Sequence, residues 1–440
     1  MKKSKGRTYR NRQRKQSRSF SLCCVNLSHK QEYILLKKWL KGRGYADNKL
    51  RPAQCSETGR GLMTTKALQA EELIISLPEK CLLTTDTVLE SYLGEYIVKW
   101  RPPISPLIAL CTFLIAEKCA LEKSLWKPYL DLLPETYTCP VCLEQETVNL
   151  FPEPLKRKAL EQRKLVQELF ASSQHFFFSL QPLFRTGVES VFNYSAFQWA
   201  WCTVNTRTVY MKHLQRDCFS REPDTYALAP YLDLLNHNPA VQVKAAFNEK
   251  TKCYEIKTLS CCQKYKEVFI CYGPHDNQRL LLEYGFVAIH NPHSTVHVGT
   301  DTLLKYLLAE DKQKQMKLSI LREHKLLDNL TFGWDGPSWR LLTALKLLCL
   351  ETDQFTSWKK VLLGGVISES NEKKSLDLVA KICVSLIEET RHALQKVSLL
   401  KSDYLHLASQ LTLVEALHTE DLKILQLSAE VLQCLHSTTT

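Results

Sequence analysis

The spacing of apolar residues predicts a helix near the start of the chain and short strands after it. Over residues 30–41 the apolar side chains recur at nearly helical intervals, and Gly42 ends the helix that this spacing predicts. Two short apolar runs, at 61–63 and 73–77, then stand between polar segments of the kind found in turns. This second pattern is typical of small strands and hairpins.

The pattern is helical in the middle of the chain, returns to strands, and is helical again to the end. The middle helices are predicted at 106–118, 155–170 and 176–203. Strands are predicted at 226–235, 241–247, 253–258 and 267–272, and the last helices at 339–351, 375–397 and 403–435. The strands are short and lack crossover helices, which argues against a doubly wound parallel sheet and favours an α+β fold.

Charge is distributed unevenly along the 440 residues. The net charge is +12, but ten Lys and Arg residues precede the first acidic residue, Glu32, so the following 409 residues carry only +2. Residues 1–29 are therefore interpreted as a basic, disordered tail. The tail could be a nuclear-import signal, a weak nucleic-acid contact or simply a solvated segment. Direct nucleic-acid binding would have to use this tail.

Composition argues for a soluble protein with reduced cysteines. Apolar residues make up 45% of the chain, yet none of the apolar stretches approaches the roughly 20 residues of a membrane span. The first 19 residues contain no apolar region of a secretory signal, so the 17 cysteines are expected to be thiols. Cys139 and Cys142 form a Cys-x-x-Cys motif, which is half of a zinc site. The alternative is a turn with two thiols, and we predict no metal.

Two motifs place polar groups beside apolar runs. The first is Thr58-Gly59-Arg60-Gly61-Leu62, in which two glycines before a strand let the backbone approach a ligand closely, unless they only form a tight turn. It is not a dinucleotide fingerprint, because a strand rather than a helix follows. The second is Asn236-His237, which directly follows the apolar run 231–235. Polar side chains at the end of a buried run need hydrogen-bond partners or a ligand. The alternative is that this motif is only a structural turn.

A third motif contains two Tyr-Gly pairs. The run 267–273 ends in Tyr272-Gly273, Asn277 follows, and twelve residues after Tyr272 come Tyr284-Gly285-Phe286. In combination with the first two motifs, this order resembles the SET-domain methyltransferases. The helical insert and the helical C-terminal third place the resemblance near Rubisco large-subunit methyltransferase and its animal relatives, from about residue 30 to the C-terminus.

The resemblance implies a fold and a division into domains. We expect a SET β-fold of short sheets with a helical insert, followed by an all-α C-terminal lobe that binds substrate. The boundaries are predicted at 1–29 for the tail, 30–99 for the N-terminal SET half, 100–225 for the insert, 226–299 for the C-terminal SET half and 300–440 for the lobe. One departure from the family lies at 263–267, where the glycine of many relatives is missing. The cysteine-rich zinc segment of many histone methyltransferases is also absent.

The resemblance also implies roles for individual residues. Proteins of this family transfer a methyl group from S-adenosylmethionine to a lysine amine. By position, the residues expected to contact this cofactor are Thr58, Gly59, Arg60, Leu62, Arg207, Asp233, Asn236, His237, Tyr272, Tyr284, Gly285 and Phe286. Arg207 would face the cofactor carboxylate, for which a guanidinium fork is suited, although it could also be a surface arginine. Tyr272 is the predicted catalytic residue, with Tyr284 auxiliary, because a hydroxyl can orient the neutral amine for in-line attack.

The expected activity is protein-lysine methylation of histone or non-histone proteins in the nucleus and cytoplasm, by a monomer. Two alternatives remain open from the sequence. One is a SET-fold binding module without activity. The other is methyl transfer to histidine rather than lysine, since fold does not determine the substrate.

Overall fold

The structure, a computed structural model, describes residues 24–305 and 311–439. Its strands are β1 (Cys24–Asn26), β2 (Leu50–Cys55), β3 (Gly59–Thr64), β4 (Leu73–Pro78), β5 (Thr208–Tyr210), β6 (Tyr226–Leu228), β7 (Asn236–His237), β8 (Val243–Asn248), β9 (Cys253–Thr258), β10 (Phe269–Ile270), β11 (Val296–His297), β12 (Thr331–Gly333) and β13 (Gly336–Pro337).

The α-helices are α1 (Gln31–Gly42), α2 (Thr85–Leu89), α3 (Gly94–Lys99), α4 (Pro106–Ala120), α5 (Lys127–Leu130), α6 (Gln145–Val148), α7 (Glu153–Ser179), α8 (Val188–Val191), α9 (Tyr194–Arg207), α10 (Asn277–Tyr284), α11 (Thr300–Lys305), α12 (Lys314–Glu323), α13 (Trp339–Leu348), α14 (Trp358–Leu362), α15 (Glu369–Asp403) and α16 (Ala408–Thr439). None of the helices in the described part of the chain has the length and apolar character that a membrane crossing needs.

The chain divides into two compact units, and the predicted domain boundaries stay predictions. The first contains Met1–Glu135 and Phe170–Gly273, and the second contains Thr136–Leu169 and Pro274–Thr440. The predicted insert at 100–225 is therefore shared between them. The physical reason is an apolar cluster in the second unit, where side chains that follow Thr136 pack with those of α16. Its members include Leu143, Val148, Leu150, Leu155, Leu411, Val414 and Leu417.

The first unit is built from small sheets. Strands β1, β2 and β3 form an antiparallel sheet, β4, β9 and β8 form a second, and β5 pairs with β6. Strands β7 and β10 pair in parallel, so that Asn236 lies opposite Phe269 and His237 opposite Ile270. The strand predicted at 226–235 is interrupted, because Tyr231 adopts a positive φ of 74° and a 3-10 turn follows at Leu232–Leu234.

Two helices carry the core of the first unit. Helix α4 begins at Pro106, and its N-cap Ser105 accepts a hydrogen bond from the backbone N–H of Ile108. Most of its side chains are buried on all faces, as expected of a helix that is apolar all round. Helix α9 packs on α4 and ends at Arg207, directly before β5. The packing of α4 against α9 therefore determines the position of the Arg207 backbone.

The second unit is mainly helical, as predicted, with one small sheet in addition. The long helices α15 and α16 pack against each other, and α13 packs against α15. Strands β11, β12 and β13 form an antiparallel sheet that the all-α prediction missed. Its hairpin turns between Gly333 and Gly336, and Gly336 has a φ of +108° that a side chain would disfavour.

Cysteines at the start of the chain differ from the expected thiols. Cys24 on β1 and Cys55 on β2 form a disulfide that spans 31 residues. Cys24 also lies within the stretch 1–29 that we predicted as a tail, so the ordered fold begins before that boundary. The basic residues 1–23 lie outside the described part of the chain. Cys24 and Cys55 lie directly opposite each other on the adjacent strands β1 and β2. The sequence alone did not indicate this pairing.

Candidate functional site

The two glycines of the first motif have different structural roles. Gly59 opens β3 with a φ of +75°, a conformation that glycine adopts at no steric cost. Gly61 is needed for space, because a Cβ at this position would lie 2.4 Å from Oε1 of Glu267 and 2.8 Å from Nδ2 of Asn236. The sequence predicted that the backbone of this motif approaches a ligand closely. The close approach is found at Gly61, and the groups approached are the side chains of Glu267 and Asn236.

Glu267 connects the glycine turn to the Asn-His motif. Its side chain is buried, with 7% of the residue exposed. The hydroxyl of Thr58 donates to its carboxylate at 2.7 Å, and the Asn236 amide donates to Oε1 at 2.7 Å. The same amide nitrogen donates to the carbonyl of Arg60 at 3.0 Å. Glu267 was not among the predicted site residues, although it is the single acid among the polar residues 263–267 and stands directly before a strand, which was a usable signal.

The parallel pairing of β7 and β10 brings Tyr272 to the Asn-His motif. The backbone N–H of Tyr272 donates to Nδ1 of His237 at 3.0 Å, and the two ring centroids lie 5.2 Å apart. The Tyr272 hydroxyl donates to the carbonyl of Leu235 at 2.7 Å. Both partners come from the polypeptide just before or within β7, so the fold determines the orientation of the tyrosine at two points.

Arg207 faces a carboxylate of the protein itself. Its guanidinium donates to the carbonyl of Asp233 at 3.0 Å and lies 3.7 Å from Oδ2 of that residue. The hydroxyl of Tyr129 donates to the same Oδ2 at 3.0 Å. The side chain of Asp233 is 4% exposed and that of Arg207 is 20% exposed. Burial raises the pKa of Asp233, and the nearby Arg207 and Tyr129 only partly offset that shift.

The side chains of Arg60 and Leu62 in the glycine motif have different surroundings. The guanidinium of Arg60 donates to the carbonyl of Leu132 at 2.8 Å. The side chain of Leu62 is completely buried, and its carbonyl accepts from the N–H of Val268 at 2.8 Å. Thr58 is exposed. The structure thus brings the predicted residues from Thr58 to Tyr272 into one connected region of the first unit. Their contacts with a cofactor stay predictions.

The second Tyr-Gly motif lies in the second unit, at the end of α10. Gly285 is the C-cap of this helix in the left-handed conformation, with a φ of +78°. A Cβ there would lie 2.8 Å from the backbone N of Cys139, and the Thr138 hydroxyl donates to the Gly285 carbonyl at 2.6 Å. Burial raises the pKa of Tyr284, whose ring stacks on His275 and meets Phe286 edge-on. The roles implied for Tyr284, Gly285 and Phe286 stay predictions.

The Cys-x-x-Cys motif forms a turn. The N–H of Cys142 donates to the carbonyl of Cys139 at 2.8 Å, and a 3-10 turn covers Pro140–Cys142. Cys139 is buried, and its thiol donates to the carbonyl of Glu283 at 3.8 Å. This geometry agrees with the turn interpretation of the motif.

Comparison with known proteins identifies two regions of the chain. Residues 59–273 match the SET domain, and residues 309–425 match the Rubisco LSMT substrate-binding domain. SET domain-containing protein 4 of Homo sapiens is 64% identical over 440 residues, which cover 100% of both chains.

More distant relatives differ in the reaction that their names state. Ribosomal lysine N-methyltransferase set11 of Schizosaccharomyces pombe is 22% identical over 385 residues, covering 84% of this chain and 91% of that protein. Actin-histidine N-methyltransferase of Mus musculus is 25% identical over 344 residues, covering 75% of this chain and 54% of that protein.

Solved structures share the fold. The structure of Rubisco LSMT bound to sinefungin and monomethyllysine has a TM-score of 0.62 at 19% identity and covers 93% of each chain. The structure of Rubisco LSMT bound to AdoMet has a TM-score of 0.61 at the same identity and coverage. The predicted α+β SET fold with a helical C-terminal region is confirmed. The chain therefore belongs to the SET-domain methyltransferase family, in the group whose SET domain is followed by a Rubisco LSMT substrate-binding domain.

Proposed function

We propose that this protein is an S-adenosylmethionine-dependent protein-lysine N-methyltransferase. The observation that carries the proposal is the parallel pairing of β7 with β10. It joins Asn236, His237 and Tyr272 in one region, and the Asn236 amide connects this region to the Arg60 backbone. The relative from Schizosaccharomyces pombe that is named as a lysine methyltransferase supports the lysine acceptor.

The residues present fit the proposed cofactor. Arg207, Asn236 and His237 are partly exposed, and their guanidinium, amide and imidazole groups suit the carboxylate and amine of an amino acid. Gly59, with its positive φ, opens the strand that presents the Arg60 backbone beside them. These residues would hold the cofactor, which supplies an electrophilic methyl group on a sulfonium. The Rubisco LSMT structures bound to AdoMet support the same assignment.

Tyr272 is proposed to orient the attacking amine. Because its hydroxyl donates to the Leu235 carbonyl, the phenolic oxygen presents acceptor lone pairs to an amine N–H. Attack requires a neutral amine, and both desolvation and a nearby sulfonium charge lower the pKa of a lysine. Orientation of the two reactants then contributes the main part of the rate acceleration. Tyr284 is proposed as an auxiliary residue.

The substrate is proposed to be a protein with a target lysine, histone or non-histone. The match to the Rubisco LSMT substrate-binding domain supports a protein partner. The basic N-terminal segment supports a nuclear as well as a cytoplasmic location, and a weak nucleic-acid contact, for a monomeric enzyme.

A second candidate function is methyl transfer to a histidine. The observation that favours it is the 25% identity with actin-histidine N-methyltransferase over 344 residues. A neutral imidazole needs no deprotonation near pH 7, so the same donor site could serve it.

Calorimetric titration of the full chain with S-adenosylmethionine tests the proposal. We expect wild type to bind, Asn236→Ala and Arg207→Ala to lose affinity, and the exposed Arg221→Ala to bind as wild type does. A folded wild type that does not bind the cofactor would leave a SET-fold binding module as the remaining function. Transfer of labelled methyl to peptides whose only nucleophile is lysine or histidine then decides between the two acceptors.

A further inference from the structure

We propose that Glu267 is a positioning residue that determines which face of the Asn236 amide is presented to the methyl donor. The proposal rests on the proposed function and deepens it, because it assigns the group that prepares the donor site. Glu267 acts through Asn236 and Thr58 and does not itself contact the cofactor.

The chemistry of the Glu267 carboxylate determines which atom of the Asn236 amide faces it. An ionised carboxylate accepts hydrogen bonds and donates none. The amide nitrogen of Asn236 therefore has to face Glu267, and it does so at 2.7 Å. Its second hydrogen goes to the Arg60 carbonyl at 3.0 Å. Both hydrogens of the amide are used, so the Asn236 oxygen Oδ1 faces the other way, as an acceptor.

Glu267 also connects Asn236 to the glycine turn. Thr58, directly before Gly59, donates its hydroxyl to both carboxylate oxygens at 2.7 Å. One buried group thus ties the turn to β7, although Thr58 and Glu267 are 209 residues apart in sequence. The absence of a side chain at Gly61 leaves space for the carboxylate, since a Cβ there would lie 2.4 Å from Oε1 of Glu267.

A disulfide lies beside the Glu267 carboxylate. The sulfur atoms of Cys24 and Cys55 lie within 4.8 Å of a Glu267 oxygen. As a disulfide these sulfurs carry no charge and donate no hydrogen bond. The disulfide therefore does not compete with the Thr58 hydroxyl and the Asn236 amide as a donor to the carboxylate.

Two substitutions of Glu267 distinguish a positioning role from a role in packing alone. Glu267→Gln keeps the size of the side chain but adds a donor, which lets the Asn236 amide flip and present its NH₂ to the cofactor. Glu267→Asp leaves a gap of one methylene but remains an acceptor. A packing role predicts that Gln is tolerated better than Asp, whereas a positioning role predicts the reverse order for cofactor affinity.

The test measures cofactor affinity by calorimetry on the full chain, with thermal unfolding in parallel. We expect Glu267→Gln to weaken S-adenosylmethionine binding about tenfold, because it allows a mismatched polar contact with the cofactor, and Glu267→Asp to weaken binding less. In a methyl-transfer assay KM for the cofactor should rise while kcat at saturating cofactor changes little. Cofactor affinity that is equal in wild type and Glu267→Gln, or higher in Gln than in Asp, would overturn the proposal.

A second variant keeps the test informative if substitution of Glu267 prevents folding. Thr58 is exposed, so Thr58→Val should fold, and it removes one of the two donors. We expect it to weaken S-adenosylmethionine binding a few-fold, because the Glu267 carboxylate loses the hydroxyl that donates to both of its oxygens. Wild-type affinity in Thr58→Val would contradict the coupling. If wild type itself does not bind, the proposed function fails, a result distinct from variants that bind as wild type does.

Discussion

The backbone N–H of Tyr272 donates to Nδ1 of His237 at 3.0 Å, so the imidazole of His237 accepts at this nitrogen. A neutral histidine that accepts at Nδ1 carries its proton on Nε2. One side chain of β7 therefore selects a tautomer and at the same time holds the residue that we propose as catalytic. A substitution of His237 can therefore displace Tyr272 while the tyrosine itself is unchanged.

Substitution of His237 is expected to reduce turnover. His237→Phe preserves a ring but removes the nitrogen that accepts from Tyr272, and a small displacement of a reacting group costs about 10²-fold in rate. We expect kcat to fall by about that factor in a labelled-methyl assay, with the far-ultraviolet circular dichroism unchanged. His392→Phe on an exposed face of α15 is the matched control. An unchanged kcat in His237→Phe would separate His237 from the reaction.

The buried carboxyl of Asp421 makes the second unit sensitive to pH. Burial, with the nearby Asp276 and Glu420 adding to the effect, raises the pKa of Asp421 to about 8. The folded state thus keeps a proton that the unfolded state loses near pH 4. Stability is therefore highest below the unfolded pKa and is lost progressively as the pH rises toward 8.

Replacement of Asp421 by Asn should remove this dependence. We expect Asp421→Asn to be more stable than wild type at pH 9, by an amount on the order of a few kcal/mol, and the difference to shrink as the pH falls to 5. Urea unfolding at several pH values, followed by the signal of the second unit, measures it. Asp353→Asn, at an exposed position, is the control and should show no pH-dependent difference. A constant difference between Asp421→Asn and wild type would show that Asp421 does not titrate in this range.

The disulfide between Cys24 and Cys55 is expected to stabilise the first unit. A crosslink that spans 31 residues removes chain entropy from the unfolded state, worth about 3–4 kcal/mol. We expect both dithiothreitol and the double substitution Cys24→Ser with Cys55→Ser to lower the melting temperature to a similar degree. Cys119→Ser, at an exposed site, should have little effect. Alkylation of both Cys24 and Cys55 in the untreated protein would instead support the thiols that the sequence predicted.

Gly285 should be intolerant of a side chain. Its φ of +78° disfavours any other residue, and a Cβ would meet the backbone of Cys139 at 2.8 Å. We expect Gly285→Ala to destabilise the protein by more than the roughly 1 kcal/mol that the left-handed conformation alone costs. Gly364→Ala isolates that conformational cost, because Gly364 has a φ of +80° and open space around it. Equal losses in the two variants would show that the contact with Cys139 relaxes.

The predictable parts of the fold are those that local pattern determines. The alternation of apolar residues predicted β9 at its observed bounds, and the helical spacing predicted α1 and α4 closely. What was missed depends on partners that are distant along the chain. Strand β1 is only three residues long, and the small sheet of the second unit pairs residues near 296 with residues near 332. Neither leaves a periodic signal that a single sequence can show.

The candidate site was predictable only in part. Asn236 and His237 stood out because polar groups at the end of an apolar run need partners. Tyr272 was identified through the resemblance to the SET-domain family. Glu267 did not stand out, because its importance comes from Thr58 and Asn236, which the fold brings to it. The pairing of Arg207 with Asp233 was likewise hidden, since each residue was interpreted separately as a cofactor contact.

The bond between Thr58 and Glu267 has a consequence for the order in which the protein is made. Because Glu267 follows Thr58 by 209 residues and Asn236 by 31, a ribosome that has completed β7 has still to synthesise the group that orients Asn236. Contacts of such long sequence separation form late and slow down folding. The nascent N-terminal half would thus leave the ribosome without a donor site, and methyl-donor binding would begin only after the second strand of the parallel pair has emerged.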